Sequence, residues 1–221
     1  MTNNYYWVSS LFFLCALAVI LKHERALRED ANNEEIEYRR LLKWVILFCV
    51  QDVFWWLCEC RIVASSTLFF VASSIFHCAT ALVNYAWLRY VLCFLRKTIN
   101  TKYLLLLGKA LVAIQFGFVV RNCFAPTIFH IEYGFYIVDG WRDVAFLVQS
   151  LMYVIMQLSS FYCLWVERKK NLKRQLMIFG FTLLLPIFLG VLQYALPNDS
   201  FYSIGYTFAC FGFYIFIIHR F

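Results

Sequence analysis

The chain has 221 residues, of which 63% are hydrophobic, 20% aromatic and 15% charged, with a formal net charge of +7. An average soluble domain is about 45–50% apolar and about 25% charged, so this composition excludes an ordinary soluble domain. The basic residues cluster beside apolar runs, where Lys and Arg act as topology signals and contact anionic lipid rather than nucleic acid. We therefore expect an integral membrane protein with a single helical domain over residues 1–221, whose partner is the lipid bilayer.

Seven apolar runs follow one another along the chain and predict an all-α integral membrane fold, a bundle of seven transmembrane helices. The predicted spans, numbered 1 to 7, cover residues 5–21, 41–60, 65–95, 104–120, 144–165, 176–196 and 201–218. Between spans 4 and 5, two β-rich runs flank Gly134 in IFHIEYGFYIVDGW, a pattern that predicts a short β-hairpin. A two-stranded hairpin is marginal in water by itself, so we expect it to pack on the bundle.

Basic residues orient the predicted spans. The loops after spans 1, 3 and 5 hold most of the Lys and Arg, whereas the opposite side has only Arg61, Arg121 and Arg142. Cytoplasmic loops carry the excess of positive charge in multi-pass membrane proteins. The sequence therefore predicts an N-terminus outside, an extracellular hairpin and a cytoplasmic C-terminus.

Span 2 carries polar side chains that transmembrane helices rarely have. Asp52 lies near mid-membrane, and Trp55, Trp56 and Glu59 follow it at spacings that place them on the same helix face. A charged side chain at the centre of a span costs about 2.5–3.5 kcal/mol, so it normally faces a partner, the bundle interior or a water-filled cavity. These four side chains are therefore candidate ligand-binding residues.

Span 3 carries a matching polar stripe. Its members are Ser73, His77, Thr80 and Asn84. Spans 2 and 3 are joined by a very short link and should be antiparallel neighbours, so we expect Asp52 to face His77. Such a pair predicts a proton-sensitive or ligand-binding site. A structural hydrogen bond between the two helices is the equal alternative.

Four glutamines add polar groups to the later spans. They are Gln115, Gln149, Gln157 and Gln193. With Arg61 they predict an outward-facing small-molecule pocket with aromatic walls, although each Gln taken alone also fits interhelical hydrogen bonding. The ligand-binding set predicted from the sequence is Asp52, Trp55, Trp56, Glu59, Arg61, His77, Asn84, Gln149 and Gln193.

The cysteines and the search for enzyme motifs point to no catalytic or metal-binding site. Cys123 falls on the predicted outer side with Cys58 and Cys60, where either a disulfide to one of them or free thiols would fit. A zinc site built from these cysteines and His130 has no recognised ligand spacing. The sequence has no HExxH, GxSxG or P-loop motif. We therefore predict no catalytic residue, no cofactor and no metal site, and no enzyme activity for this chain.

Several stretches carry a family resemblance. EYRRLLKWVILFCVQDVFWWLC, LPNDSFYSIGYTFACFGFYIFII, ILKHE and HIEYGFYIVDGWRDVAFLVQ resemble the N-terminal seven-helix sensor region of bacterial GGDEF-type diguanylate cyclases and of some histidine kinases. In that family the last span leads into a cytoplasmic output domain. Because the sequence ends at Phe221, we expect either the sensory half of a longer protein or a module that acts through a partner.

The resemblance implies a receptor in the inner (cytoplasmic) membrane of a bacterium that detects a small ligand or an environmental cue. Its movement would pass along residues 218–221 to a cytoplasmic signalling domain or partner protein. Pro186 would allow span 6 to bend. A second copy of the chain is a further candidate partner. Two other classes stay open. Asp52 and His77 would form the relay of a proton- or solute-coupled transporter or channel. In a non-catalytic assembly subunit, the polar side chains would only join helices.

Overall fold

The computed structural model describes residues 6–27, 33–95, 100–166 and 201–218, with a few positions between 177 and 192. The described chain is mostly helical. Its long helices are α1 (Tyr6–Leu27), α2 (Asn33–Glu59), α3 (Ser66–Leu95), α4 (Lys102–Phe124), α5 (Arg142–Val166) and α6 (Phe201–Ile218). Predicted spans 1 to 5 correspond to α1 to α5, and span 7 corresponds to α6. Most of predicted span 6, including Pro186 and Gln193, lies outside the described residues.

Four of the described helices are long and apolar enough to cross a membrane. These segments are Asn33–Glu59, Ser66–Cys93, Lys102–Phe124 and Arg142–Cys163, with 27, 28, 23 and 22 residues. A spanning helix needs about 20 predominantly apolar residues. The apolar parts of the first and last helices, Leu11–His23 and Ser203–Ile215, are shorter. The chain is therefore a multi-pass membrane protein.

A tight turn places α2 and α3 side by side. Arg61 takes a left-handed backbone conformation in this turn, with a φ of 57°. Ser65 then begins α3 as its N-cap, because its hydroxyl accepts a hydrogen bond from the backbone N–H of Leu68 at 3.3 Å. The two helices pack along their length as antiparallel neighbours. This arrangement agrees with the short link seen in the sequence.

Two close contacts fix the direction of α4. Gly108 near its beginning lies so close to Leu88 and Tyr85 of α3 that a side chain there would collide with them. Near its other end, Phe118 contacts the ring of Trp141, which immediately precedes α5. Since α4 is antiparallel to both neighbours, α3 and α5 run in the same direction.

The hairpin predicted around Gly134 is confirmed. Strands β1 (Phe129–Glu132) and β2 (Phe135–Val138) pair in antiparallel fashion. Gly134 has a φ of +77°, a left-handed conformation that suits glycine. One face of the hairpin packs on α3, where the ring of Phe129 stacks on His77 with 5.5 Å between centroids. The bundle thus supplies the support that an isolated hairpin lacks.

Asn122, near the end of α4, holds the connection to the hairpin. Its Oδ1 accepts hydrogen bonds from the backbone N–H groups of Thr127, Ile128 and Phe129 at 2.8, 2.8 and 3.3 Å. It also accepts from the Thr127 hydroxyl at 3.3 Å. Its Nδ2 donates to the carbonyl of Phe129 at 3.0 Å. One buried side chain therefore satisfies three successive backbone N–H groups and one carbonyl where the chain leaves the helix.

Candidate functional site

Asp52 is buried, but it does not face His77. Cys49, one turn earlier on the same face of α2, lies against Thr207 and Cys210 of α6. Asp52 lies close to Cys49, so its carboxylate is on the side of α2 that is turned toward α6. The predicted pair of Asp52 with His77 is therefore wrong.

The contacts between α2 and α3 explain this difference. The Gln51 amide donates to the carbonyl of Ala72 at 2.8 Å, and the Trp55 indole donates to the Ser73 hydroxyl at 3.0 Å. Residues 51 and 55 are one turn apart and form the face that meets α3. Asp52 follows Gln51 by one position and therefore points about 100° away from that face.

His77 is directed at the hairpin instead. Its Nε2 lies 3.2 Å from the hydroxyl of Tyr136 in β2. Trp55 contacts the same tyrosine ring with 5.9 Å between centroids. Trp56 is buried on α2. Trp55 and His77 thus help to seat the hairpin, whereas the sequence suggested that they would line a site with Asp52.

A buried polar contact inside the bundle joins three helices around Asn84. Its Oδ1 on α3 accepts a hydrogen bond from the hydroxyl of Tyr206 on α6. The hydroxyl of Tyr153 on α5 lies 2.8 Å from the same Oδ1 and 2.7 Å from the Tyr206 oxygen. All three residues are buried. We call Asn84, Tyr153 and Tyr206 the interior cluster; it places Asn84, a predicted site residue, at the meeting point of three helices.

Several buried polar atoms around the interior cluster have no hydrogen-bond partner in the part of the chain that the structure describes. They are Asn84 Nδ2, Trp87 Nε1 and both amide atoms of Gln157. Trp87 follows Asn84 by three residues on α3, and Gln157 follows Tyr153 by four residues on α5, so each lies one turn from the cluster on the same helix face. Because α3 and α5 run in the same direction, both turns extend toward the same end of the bundle. Buried polar groups are normally satisfied, so this group is a candidate binding site.

Helix α6 is the element on which the polar contacts converge. Besides the interior cluster, the carbonyl of Cys210 accepts a hydrogen bond from the Tyr38 hydroxyl of α2 at 2.8 Å. The hydroxyl of Tyr214 lies 2.6 Å from Nδ1 of His23 in α1. Polar side chains of four other helices therefore fix the position of α6.

A second candidate region lies at the hairpin end of α2. Arg61 donates to the carbonyl of Tyr133 at 3.1 Å, and its guanidinium lies 4.3 Å from the ring centre of Phe135. A cavity of about 200 Å³ between this turn and the hairpin is lined by Arg61, Cys58, Ser65, Phe69 and Gly134, among others. Glu59 is partly buried nearby, and its Oε2 has no partner among the described residues. Glu59 ends α2 and Arg61 lies in the turn after it, so both lie near the hairpin and not near Asn84. The predicted residues therefore do not form one site.

The outer face of the hairpin carries a small charged group. Nδ1 of His130 lies 3.0 Å from a carboxylate oxygen of Asp139, and its Nε2 lies 3.6 Å from Glu132. The hydrogen bond with Asp139 raises the pKa of the His130 imidazole above its usual value. Protonated His130 therefore binds both carboxylates more strongly than the neutral ring does.

The remaining predictions concern residues that the structure places elsewhere or does not describe. The side chain of Gln149 and all of Gln193 lie outside the described residues. Gln115 is fully buried on α4, and neither of its amide atoms has a described partner. Cys58, Cys60 and Cys123 are free thiols. Among the described residues, no group of three or more His, Cys, Asp and Glu side chains is arranged to hold a metal ion.

Sequence reasoning missed Tyr153, Tyr206 and Trp87. Each is an aromatic residue in an apolar run, where an aromatic side chain is usually part of the core. The available signal was that Tyr carries a hydroxyl and Trp an N–H, and that these groups usually form hydrogen bonds when they are buried.

No known protein family, characterised protein or solved structure matches this chain.

Proposed function

We propose that this chain is the membrane-embedded sensory module of a receptor. It detects a small ligand or cue and passes a conformational change to a cytoplasmic output, of the diguanylate cyclase or histidine kinase type that the sequence resembles. The proposal includes seven spans in the cytoplasmic membrane, with the N-terminus outside and the C-terminus in the cytoplasm. It also includes a ligand site at the interior cluster, with Asp52 bordering α6.

The convergence of polar contacts on α6 is the observation that carries this proposal. Tyr206, Cys210 and Tyr214 bind groups on α1, α2, α3 and α5. A ligand that competes for any of these hydrogen bonds would favour a different position of α6. Differential affinity for two arrangements of the bundle is what drives a ligand-coupled switch.

The interior cluster is well placed to begin such a movement. Asn84 and Tyr153 belong to helices of membrane-spanning length, and Tyr206 belongs to α6. A ligand that bonds to Asn84 would change the acceptor that holds Tyr206. The chain after α6 would then carry the displacement toward the output.

The experiment measures where α6 lies. Genetically encoded spin labels at Asn33 and Ile215 report the distance between the beginning of α2 and the end of α6, in lipid nanodiscs. We expect two distance populations whose ratio changes with Tyr206→Phe, which removes the hydroxyl from the interior cluster. Tyr162→Phe, which removes the hydroxyl of an exposed tyrosine of α5, is the matched control. A single distance that is unchanged in a well-folded Tyr206→Phe variant would contradict the sensor proposal.

A proton-coupled transporter is the second candidate, and buried Asp52 favours it. The side chain is 4% exposed within a helix that can cross a membrane, and such carboxylates are common in proton relays. Proteoliposomes with an imposed pH gradient test this candidate. Proton flux that is lost in Asp52→Asn would establish transport, whereas a receptor should show no flux above that of empty liposomes.

A further inference from the structure

The unsatisfied groups next to the interior cluster are mostly hydrogen-bond donors. Trp87 Nε1 is a donor only, and the Nδ2 group of Asn84 carries two N–H bonds. Gln157 offers one NH₂ group and one carbonyl oxygen. A molecule that satisfied these side chains would therefore have to present hydrogen-bond acceptors.

Charge narrows the class of molecule further. Among the buried side chains of the described residues, only Glu35 and Asp52 carry a formal charge, and both are acidic. An anion would find no buried counter-charge here, and burying an unpaired charge is costly. A cation would face the positive ends of N–H groups. The ligand that matches these side chains is therefore an uncharged molecule with hydrogen-bond acceptors.

The surroundings of the donors are aromatic and lie at membrane depth. The Trp87 ring contacts Phe213 of α6 with 5.1 Å between centroids, and Tyr90 contacts the same ring with 5.3 Å. Asn84 and Trp87 lie within the membrane-spanning part of α3, Ser66–Cys93. A ligand that reaches these side chains from the bilayer is soluble in lipid, and the aromatic neighbours suit a flat ring.

We propose that Asn84, Trp87 and Gln157 bind a neutral, lipid-soluble carbonyl compound, whose carbonyl oxygen accepts hydrogen bonds from the Asn84 amide and the Trp87 indole. This inference rests on the proposed receptor function and gives the chemical class of its ligand. Binding would add acceptors beside Asn84, whose Oδ1 holds Tyr153 and Tyr206. The interior cluster would thereby report occupancy of the site to α6.

The test uses the full chain in lipid nanodiscs with two probes. Decylubiquinone carries carbonyl oxygens on a ring with a long chain, and decylbenzene has a ring and a chain but no oxygen. Binding is measured by titration calorimetry, with empty nanodiscs subtracted. We expect saturable binding of decylubiquinone and none of decylbenzene. Equal binding of both probes, or no binding of either, would overturn the proposed ligand class.

Matched variants locate the site. Trp87→Phe keeps the ring and removes the N–H, and should weaken decylubiquinone binding about 2- to 12-fold, the range expected for one hydrogen bond. Gln157→Leu should weaken it by a similar factor. Trp44→Phe makes the same chemical change on α2 and should leave binding unchanged. Equal effects of Trp87→Phe and Trp44→Phe would place the probe elsewhere and reject the assignment.

The two proposals fail in different ways. If decylubiquinone binds with the predicted pattern but the Asn33–Ile215 distances do not respond, the ligand site stands and the receptor function fails. If Tyr206→Phe shifts those distances while decylubiquinone does not bind, the receptor stands and the ligand class is wrong.

Discussion

Two buried asparagines have different hydrogen-bonding roles in this molecule. Asn122 bonds through both its oxygen and its nitrogen to the chain that leads from α4 into β1. Asn84 accepts hydrogen bonds from two tyrosines through its oxygen, but its Nδ2 has no partner among the described residues. Both side chains are at least 97% buried. They share chemistry and burial and differ only in how completely they are satisfied.

The difference separates a structural side chain from a candidate functional one. A fully bonded buried amide contributes stability and leaves nothing for a ligand to bind. A half-bonded amide has given up hydrogen bonds to water without full replacement, which costs stability unless another molecule restores them. Comparing variants at these two positions therefore measures how much of the buried polarity serves the fold.

The largest effect is expected at Asn122. Asn122→Leu leaves three backbone N–H groups and one carbonyl without their partner, so we expect a loss of about 3 kcal/mol in the free energy of unfolding. Unfolding in mixed micelles with increasing SDS measures it. Asn122→Asp keeps the accepting oxygen and should lose much less. Equal losses for the Leu and Asp variants would mean that the oxygen does not hold the hairpin connection.

A smaller effect is expected at Asn84. Asn84→Leu removes the acceptor of Tyr153 and Tyr206 but also removes an unsatisfied donor, and the Tyr153 hydroxyl then donates its one hydrogen to Tyr206. Interhelical hydrogen bonds in membranes contribute about 0.6 kcal/mol on average. We expect a loss of about 1 kcal/mol or less in the same SDS assay. A loss as large as that of Asn122→Leu would show that Asn84 is chiefly structural.

Much of the architecture could be read from the sequence because it depends on local patterns. The long apolar runs predicted α2 to α5, and alternating β-rich residues around Gly134 predicted the hairpin. These signals rest on helix length and strand periodicity, which each segment carries by itself. Helix α6 matches predicted span 7, residues 201–218, whereas α1 continues to Leu27, six residues beyond the end of predicted span 1, because the polar residues that follow the apolar run extend the helix.

The site was harder to predict because it depends on how helices rotate about their axes. The sequence placed Asp52 and His77 at similar depth, but it did not show that Gln51 and Trp55 take the face toward α3. That rotation turned Asp52 toward α6. The partners of Asn84 come from residues 69 and 122 positions away along the chain. No local pattern links such distant residues.

Arg61 tests the other attachment of the hairpin, at its tip. Its guanidinium is exposed and lies over Phe135, so Arg61→Ala should cost about 0.5–1 kcal/mol. Arg61→Gly loses the same contacts but relieves the left-handed backbone, which costs an L-residue about 1–2 kcal/mol. We therefore expect the Gly variant to be more stable than the Ala variant in SDS unfolding. The reverse order would show that the turn is not strained at residue 61.

The smallest effect concerns the partly buried pair of His130 and Asp139. Because the folded pKa of His130 is raised, its contribution to hairpin stability is fully present below the ordinary histidine pKa, about 6.5, and is lost as the pH rises through the raised value. Hydrogen exchange of the β1 and β2 amides, corrected for the intrinsic pH dependence, should show more opening on the alkaline side. Asp139→Asn should flatten this dependence. Asn122 has no titrating group, so the hydrogen bonds between its side chain and the hairpin connection should not change with pH. A pH response of the hairpin amides that remains in Asp139→Asn would assign the effect to a group other than this pair.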